Sequence, residues 1–231
     1  MVYTNEILTL AVEIGDSMLR NGAEIYRVED TVVHILKSYE VKEFDVYVIS
    51  NGIFASANEN QEDACSIVRH VPLGSVNLGK ISALNQLARD ICEHKISLID
   101  SWEELERCQN LPNYPNSLLV FFCGLGSAGF CYLFGGSALD SLFTFGIGIL
   151  EQLLLFALKK YNFSKIITNI FASLFVTLLA MLCMLTNLNL LQDKIIIGAI
   201  MPLVPGIAFT TAIRDIYNAD YLSGTIHLLD A

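Results

Sequence analysis

Hydrophobic and polar positions change period twice along this 231-residue chain before the polar phase almost vanishes. Residues 3–20 set Ile7, Ala11, Ile14 and Met18 on one face of an amphipathic helix. Asn21-Gly22 then breaks the helix, because both residues tolerate left-handed backbone. From about Ala23 to Tyr39 the apolar set Ile25, Val28, Val32, Ile35, Leu36 and Tyr39 keeps a 3–4 spacing and predicts a second helix. The period next drops to two. FDVYVISNGIFASAN reads as two strands joined near SNG, with Asn51-Gly52 as a hairpin signal, and ACSIVRHVP reads as a third strand. Ile81, Leu84, Leu87, Ala88 and Ile91 mark a further helix. SWEELERCQ begins a short one, with Ser101 as N-cap and Glu104 completing a capping box.

After the proline-marked linker LPNYPNS, the pattern becomes almost continuously apolar. Four runs follow, at 117–134, 142–158, 166–185 and 195–213, each near the ~17–25 residues that a bilayer span needs. The predicted fold is a multi-span α-helical membrane protein with an N-terminal α+β cytoplasmic domain. That domain has a helix pair, a small antiparallel sheet of about three strands and further helices. The predicted domains are 1–112, cytoplasmic, and 113–231, with about four spans and the start of a possible fifth helix.

Composition supports the division. Charged residues make up 16% of the chain and hydrophobic residues 53%, against about 25% charged in a typical soluble domain. Residues 1–116 hold 9 Lys and Arg against 18 Asp and Glu, and residues 117–231 hold 5 against 6. An acidic part therefore precedes a nearly charge-free one. This balance argues against nucleic acid as a partner and gives no attraction to anionic lipid. Arg107, Lys159, Lys160, Lys165 and Arg214 place the basic excess on the side of the N-terminal domain, which is then cytoplasmic. The N-terminus has no basic region of the kind that opens a signal peptide. The six cysteines form no C-x-x-C pair, and the four histidines form no local ligand pair. No metal, cofactor or catalytic residue is assigned.

Two short patterns are decoys. GSVNLGKIS nearly matches a phosphate loop, but Ile81 stands where the Mg²⁺-binding hydroxyl belongs. LGSAG around Ser127 lacks the first glycine of a nucleophile elbow. Small residues at Gly124, Ala128, Gly129, Gly146 and Gly148 read as helix packing. The fourth run is more informative. Pro202 and Pro205 lack amide hydrogens, and Gly206 follows. One reading is a simple kink ended by an interfacial Arg214–Asp215 pair. The other is a functional discontinuity, since interrupted membrane helices offer free backbone groups to ions and substrates, with Thr210 and Thr211 adding hydroxyls. Asp140, Glu151 and Asp215 are the acids that proton coupling could use.

NGAEIYRVEDTV also carries two readings. On a helical wheel Glu24 and Thr31 lie on one border of the apolar arc and Glu29 on the other, with Arg27 just outside. Asn21 can cap the helix while Glu24 reaches back as its capping-box partner. That accounts for Glu24 but not for Arg27 or Glu29.

GAEIYRVEDT resembles the signature of the bacterial threonine/serine exporter family. VNLGKISALNQLARDI, through Asn77, Leu78, Lys80, Asn85 and Arg89, resembles a second segment of it, and MPLVPGIAFTTAIRDIYNADYLSG a third. The resemblance implies a cytoplasmic domain followed by about five spans, in the bacterial inner membrane. It implies a small multi-span membrane protein as second transporter subunit, this chain being the larger subunit of the split form, in a homo- or hetero-oligomer. It also implies export of threonine/serine-like amino acids, or of dicarboxylates such as succinate, driven by membrane potential or a proton gradient. The family continues into a fifth span beyond SGTIHLLDA, which is where this sequence stops.

The expected function is a subunit of an exporter of small polar metabolites. Its expected pathway residues are Pro202, Pro205, Gly206, Thr210, Thr211, Arg214 and Asp215. Gly22, Glu24, Arg27, Glu29, Asp30 and Thr31 form the cytoplasmic-domain motif. The alternative is a membrane-anchored enzyme, with a hydrolase-like domain, or a ligand-sensing regulator acting through Glu24, Arg27 and Glu29. A purely structural assembly subunit is a third reading.

Overall fold

The computed structural model describes residues 2–58, 64–72, 74, 76–161, 163–186 and 188–230; Ser75 of the near-phosphate-loop stretch and Ala231 lie outside them. The chain forms two compact units, Met1–Pro112 with Gly206–Ala231, and Asn113–Pro205.

In the first unit, α1 (Val2–Arg20) packs against α2 (Ile25–Ser38), α3 (Leu78–Cys92), α4 (Leu98–Gln109) and a three-stranded sheet. The sheet is antiparallel in the order β1 (Glu43–Ile49), β2 (Gly52–Asn58), β3 (Ala64–His70). The single apolar face expected for α1 is a correction. Ile7, Leu8, Leu10, Ala11, Val12, Ile14 and Met18 are all buried, because neighbours cover the helix on several sides. It is the central element of the core rather than a surface helix.

Three local expectations are also revised. Ile49 pairs with Gly52, so Ser50 and Asn51 make the hairpin turn, and Gly52 begins β2. Helix α4 starts one turn earlier than expected. Ser97 caps it, its Oγ accepting from the Asp100 amide at 3.2 Å, while Ser101 is buried and donates to the Ser97 carbonyl at 2.7 Å. The box expected at Asn21 and Glu24 does not form. Asn21 Nδ2 donates backwards to the Ser17 carbonyl at 2.7 Å, and Glu24, in the N-cap position of α2, makes no capping bond.

A double hydrogen bond ends α1. Ala23 N–H donates to the Met18 carbonyl and Gly22 N–H to the Leu19 carbonyl, each at 3.0 Å, with Gly22 at φ +78°. This geometry satisfies two helix-end carbonyls and needs a left-handed residue. A side chain at Gly22 would also meet the Val76 backbone at 3.1 Å. Beside it, Asn77 N–H donates to the Asn21 carbonyl at 3.0 Å, and Asn77 Oδ1 caps α3 by accepting from Lys80 N–H at 3.1 Å. The turn therefore seats the start of α3. Lys80 Nζ donates to the Gln109 carbonyl at 2.6 Å, so it closes the C-terminus of α4.

The second unit contains α5 (Asn116–Leu133), α6 (Ala138–Lys159), α7 (Lys165–Met184), α8 (Gln192–Ile200) and a 3₁₀ turn, Met201–Leu203. By length and composition α5, α6 and α7 are each fit to cross a membrane. A fourth span arises if α8 with its 3₁₀ turn and α9 (Gly206–Tyr217) count as one, interrupted between Leu203 and Gly206. The packing is tight where glycines let helices meet. A side chain on Gly124 would stand 2.8 Å from the Phe145 carbonyl, one on Gly148 3.0 Å from Gly124 Cα, and one on Gly198 2.7 Å from Cys131 N. Gly129 and Gly146, expected in the same role, face open space. The buried side of α6 carries Asp140, Thr144, Ile147, Gly148 and Glu151, while Leu139, Leu142, Leu150 and Leu153 face outward. Small and polar residues inside with leucines outside is the arrangement a bilayer favours.

Replacing Gly22 by Ala forces a side chain into left-handed backbone, at a cost of roughly 1–2 kcal/mol, before the Val76 contact is counted. The unfolding midpoint of the full chain in detergent is expected to fall, and to fall less for Gly22→Asn. An unchanged midpoint in Gly22→Ala would contradict the turn described.

Candidate functional site

Glu24 is released from capping by the geometry of the Gly22 turn, and its carboxylate has two arginine partners. Arg27, one turn along α2, lies 3.5 Å from Oε2. Arg214 of α9 forms an ion pair with Oε1. Both arginines are about half exposed and Glu24 is mostly covered. The pair joins the first family-like motif to the third.

The next residue, Asp215, is buried, and its Oδ2 lies 2.8 Å from His227 Nδ1 on α10 (Tyr221–Asp230). The α9–α10 hairpin is close because Gly224 has no side chain. A Cβ there would meet the Ala212 carbonyl and the Ile216 amide at 3.0 Å. A cavity of about 90 Å³ lies beside these groups, lined by Leu19, Gly22, Ala23, Val76, Ser50 and Gly74 with Ile207, Ala208, Thr211 and His227 of the C-terminal helices. Ser50 Oγ is buried and has no hydrogen-bond partner among the described residues. The sequence marks Ser50 only as part of the SNG hairpin and His227 only as a histidine without a local ligand pair; the turn and the α9–α10 hairpin bring them to one cavity.

The expected pathway residues are thus divided. Pro202 lies in the 3₁₀ turn and Pro205 ends the second unit, while Gly206, Thr210, Thr211, Arg214 and Asp215 belong to the first. Thr210 Oγ1 is taken up by its own helix, donating to the Gly206 and Ile207 carbonyls at 3.0 and 2.9 Å. Thr211 lines the cavity.

The other motif residues serve the neighbouring helices. Glu29 Oε2 accepts from the Val48 amide of edge strand β1 at 3.3 Å. Thr31 Oγ1 donates to the Arg27 carbonyl at 2.7 Å. Asp30 Oδ1 lies 3.1 Å from His34 Nδ1. Asp30, Thr31 and His34 face Asn85 and Arg89 of α3 across a second cavity of about 240 Å³. Cys92 is on its wall, with its thiol pushed up by burial and so slow to ionise. Among the described residues, no group of three or more His, Cys, Asp or Glu side chains is placed to share a metal ion.

These units define a multi-span helical membrane protein with an α+β N-terminal domain. Residues 9–231 match the family model ThrE, described as "Putative threonine/serine exporter", and the chain belongs to this family. The description of the family is that of an exporter, not of an enzyme. The chain is also 33% identical over 108 residues to pheromone-regulated membrane protein 10 of Pichia sorbitophila, a match taking in 46% of this chain and 11% of that protein. The match thus spans about a tenth of that relative's length. No solved structure matches the chain.

Removing Glu24, Arg214 or both from the full chain makes a double-mutant cycle. The expected coupling is about 1 kcal/mol, as for a partly exposed ion pair, read from unfolding midpoints in detergent. Strictly additive losses would show that the two side chains do not interact.

Proposed function

We propose that this chain is the larger subunit of a two-component exporter in a bacterial cell membrane. Its N-terminal domain faces the cytoplasm, and a small multi-span protein supplies the remaining spans. The cargo is a small metabolite bearing a carboxylate, of the threonine/serine type or a dicarboxylate such as succinate. It passes near the interruption at Pro202–Gly206, where Thr211 and Arg214 meet it. The observation that carries this reading is the Glu24–Arg214 ion pair. An arginine fork matches a carboxylate whether that group belongs to the protein or to cargo. Glu24 therefore acts as a stand-in that a substrate carboxylate displaces, and the exchange links cargo arrival to the helix that follows the interruption. Family membership supports the class of cargo.

A ligand-sensing role for the cytoplasmic domain is supported by the cavity between α2 and α3. There Arg89 and Asn85 face Asp30 and His34, a mixed polar lining suited to a zwitterion.

The test is export of threonine, serine and succinate from vesicles holding this chain with its small partner. Arg214→Ala is expected to lower export at least ~10-fold, the loss of one charge-assisted contact of about 1.5 kcal/mol or more. Pro205→Ala is expected to slow it as well. Unchanged flux in both variants would remove the interrupted span from the pathway. Saturable binding of one of these solutes, abolished in Arg89→Ala while flux persists, would favour sensing at the α2–α3 cavity.

A further inference from the structure

The three acids of the helical part fare differently. Asp140 is fully engaged. Its Oδ2 accepts from Ser137 N–H at 2.8 Å and Ser137 Oγ at 2.7 Å, and its Oδ1 accepts from Leu191 N–H at 2.9 Å. Asp215 holds His227. Glu151 has nothing. It is fully buried, and neither carboxyl oxygen has a hydrogen-bond partner among the described residues.

Its position makes this unusual. Glu151 is about 20 Å along α6 from Ala138 and about 12 Å short of Lys159, well inside a hydrocarbon core of roughly 30 Å. It continues the buried line of Thr144, Ile147 and Gly148, on the helix held against α5 by Gly124 and Ser127. The ionisable groups on the elements packed around α6 are few. Cys123 is half-buried on α5. Cys131 is buried on α5, while Tyr132, on the same helix, is exposed. Cys183 on α7 lines an apolar hollow with Ile147 and Leu150, and Lys165 begins that helix. On α8, Lys194 pairs with Asp193 at 3.1 Å. No described cation forms an ion pair with Glu151.

An ionised carboxylate cannot be kept in such surroundings without a partner; the group neutralises instead. The geometry points to Glu151 as a proton-binding site of the membrane unit. It holds its proton as a neutral acid while the α5–α6 seam is closed, and it gives the proton to water when the seam opens during transport. Isolated acids inside membrane helices commonly mark such relays. The proton's role in transport rests on the export reading above; its presence rests on burial alone.

Dicyclohexylcarbodiimide, an apolar reagent that modifies protonated carboxyls, separates the two. The full chain in detergent or membranes, treated between pH 6 and pH 9 and digested for mass spectrometry, is expected to carry the label on Glu151. The rate should fall about tenfold per pH unit once the carboxyl ionises, and Glu151→Gln should lose the label. No label on Glu151 at pH 6 would overturn the site, because the carboxylate is then ionised and matched by a cation from another subunit. In vesicles with the small partner subunit, export of threonine and serine against a pH gradient is expected to drop at least tenfold in Glu151→Gln and to recover in part in Glu151→Asp. Gradient-driven export unchanged in Glu151→Gln would overturn the coupling role. Wild-type vesicles without flux would count against the export reading and leave the labelling result standing.

Discussion

The left-handed turn at Gly22 is the constraint on which the N-terminal unit depends. It closes α1, whose side chains form the centre of the core. Its carbonyl at Asn21 receives the amide of Asn77, so the third helix starts where the first one ends. It also directs the chain so that Glu24 arrives at the head of α2 with its carboxylate free of capping. An ordinary helix start would have turned that carboxylate back on its own amides. Here it is left for arginines, and one of them comes from α9.

In the second unit the governing cost is a polar group without a partner in an apolar setting. The chain meets it in three ways. Ser127 and Thr144 return their hydroxyls to carbonyls one turn back, at 3.0 and 2.7 Å. Asp140 answers both its own helix start and the amide of Leu191, the residue before α8, which ties together two points 51 residues apart. Glu151 is answered by no group among the described residues. Two acids eleven residues apart on one helix face thus have opposite characters, one a structural tie and the other an ionisable group that has to change state before it can be wet.

Much of this was readable from periodicity. The three strands, the helix pair and the long apolar helices follow from spacing, because burial on one face imposes the period directly. The helix starts were less readable. Ser97 and Ser101 both stand three residues before an acid, Asp100 and Glu104, so local chemistry allows either cap. Packing decides for Ser97, since Ser101 is buried. The α1 pattern misled for a similar reason. A stripe at helical spacing says that one face is covered and nothing about the others, and the extra neighbours come from elements distant in sequence. The candidate site was legible in its parts only. Glu24 and Arg214 each stood out beside a motif, but 190 residues separate them, and no spacing rule links them. Ser50 carried only a hairpin signal, and His227 only that of an isolated histidine.

The contrast between Glu24–Arg214 and Asp140 shows where motion can enter. Asp140 is held by three donors, two of them backbone amides, and losing it would take the side-chain acceptor from both amides at once. The Arg214 guanidinium is half exposed and bound to an acid that already has a second arginine beside it. If Arg214 leaves, Glu24 keeps Arg27 and neither charge is orphaned, so the exchange has a low cost. A carboxylate arriving from water can compete on nearly equal terms. The weakness of that ion pair is therefore what the proposed exchange with a cargo carboxylate requires, whereas a buried, fully satisfied pair at the same place would resist it.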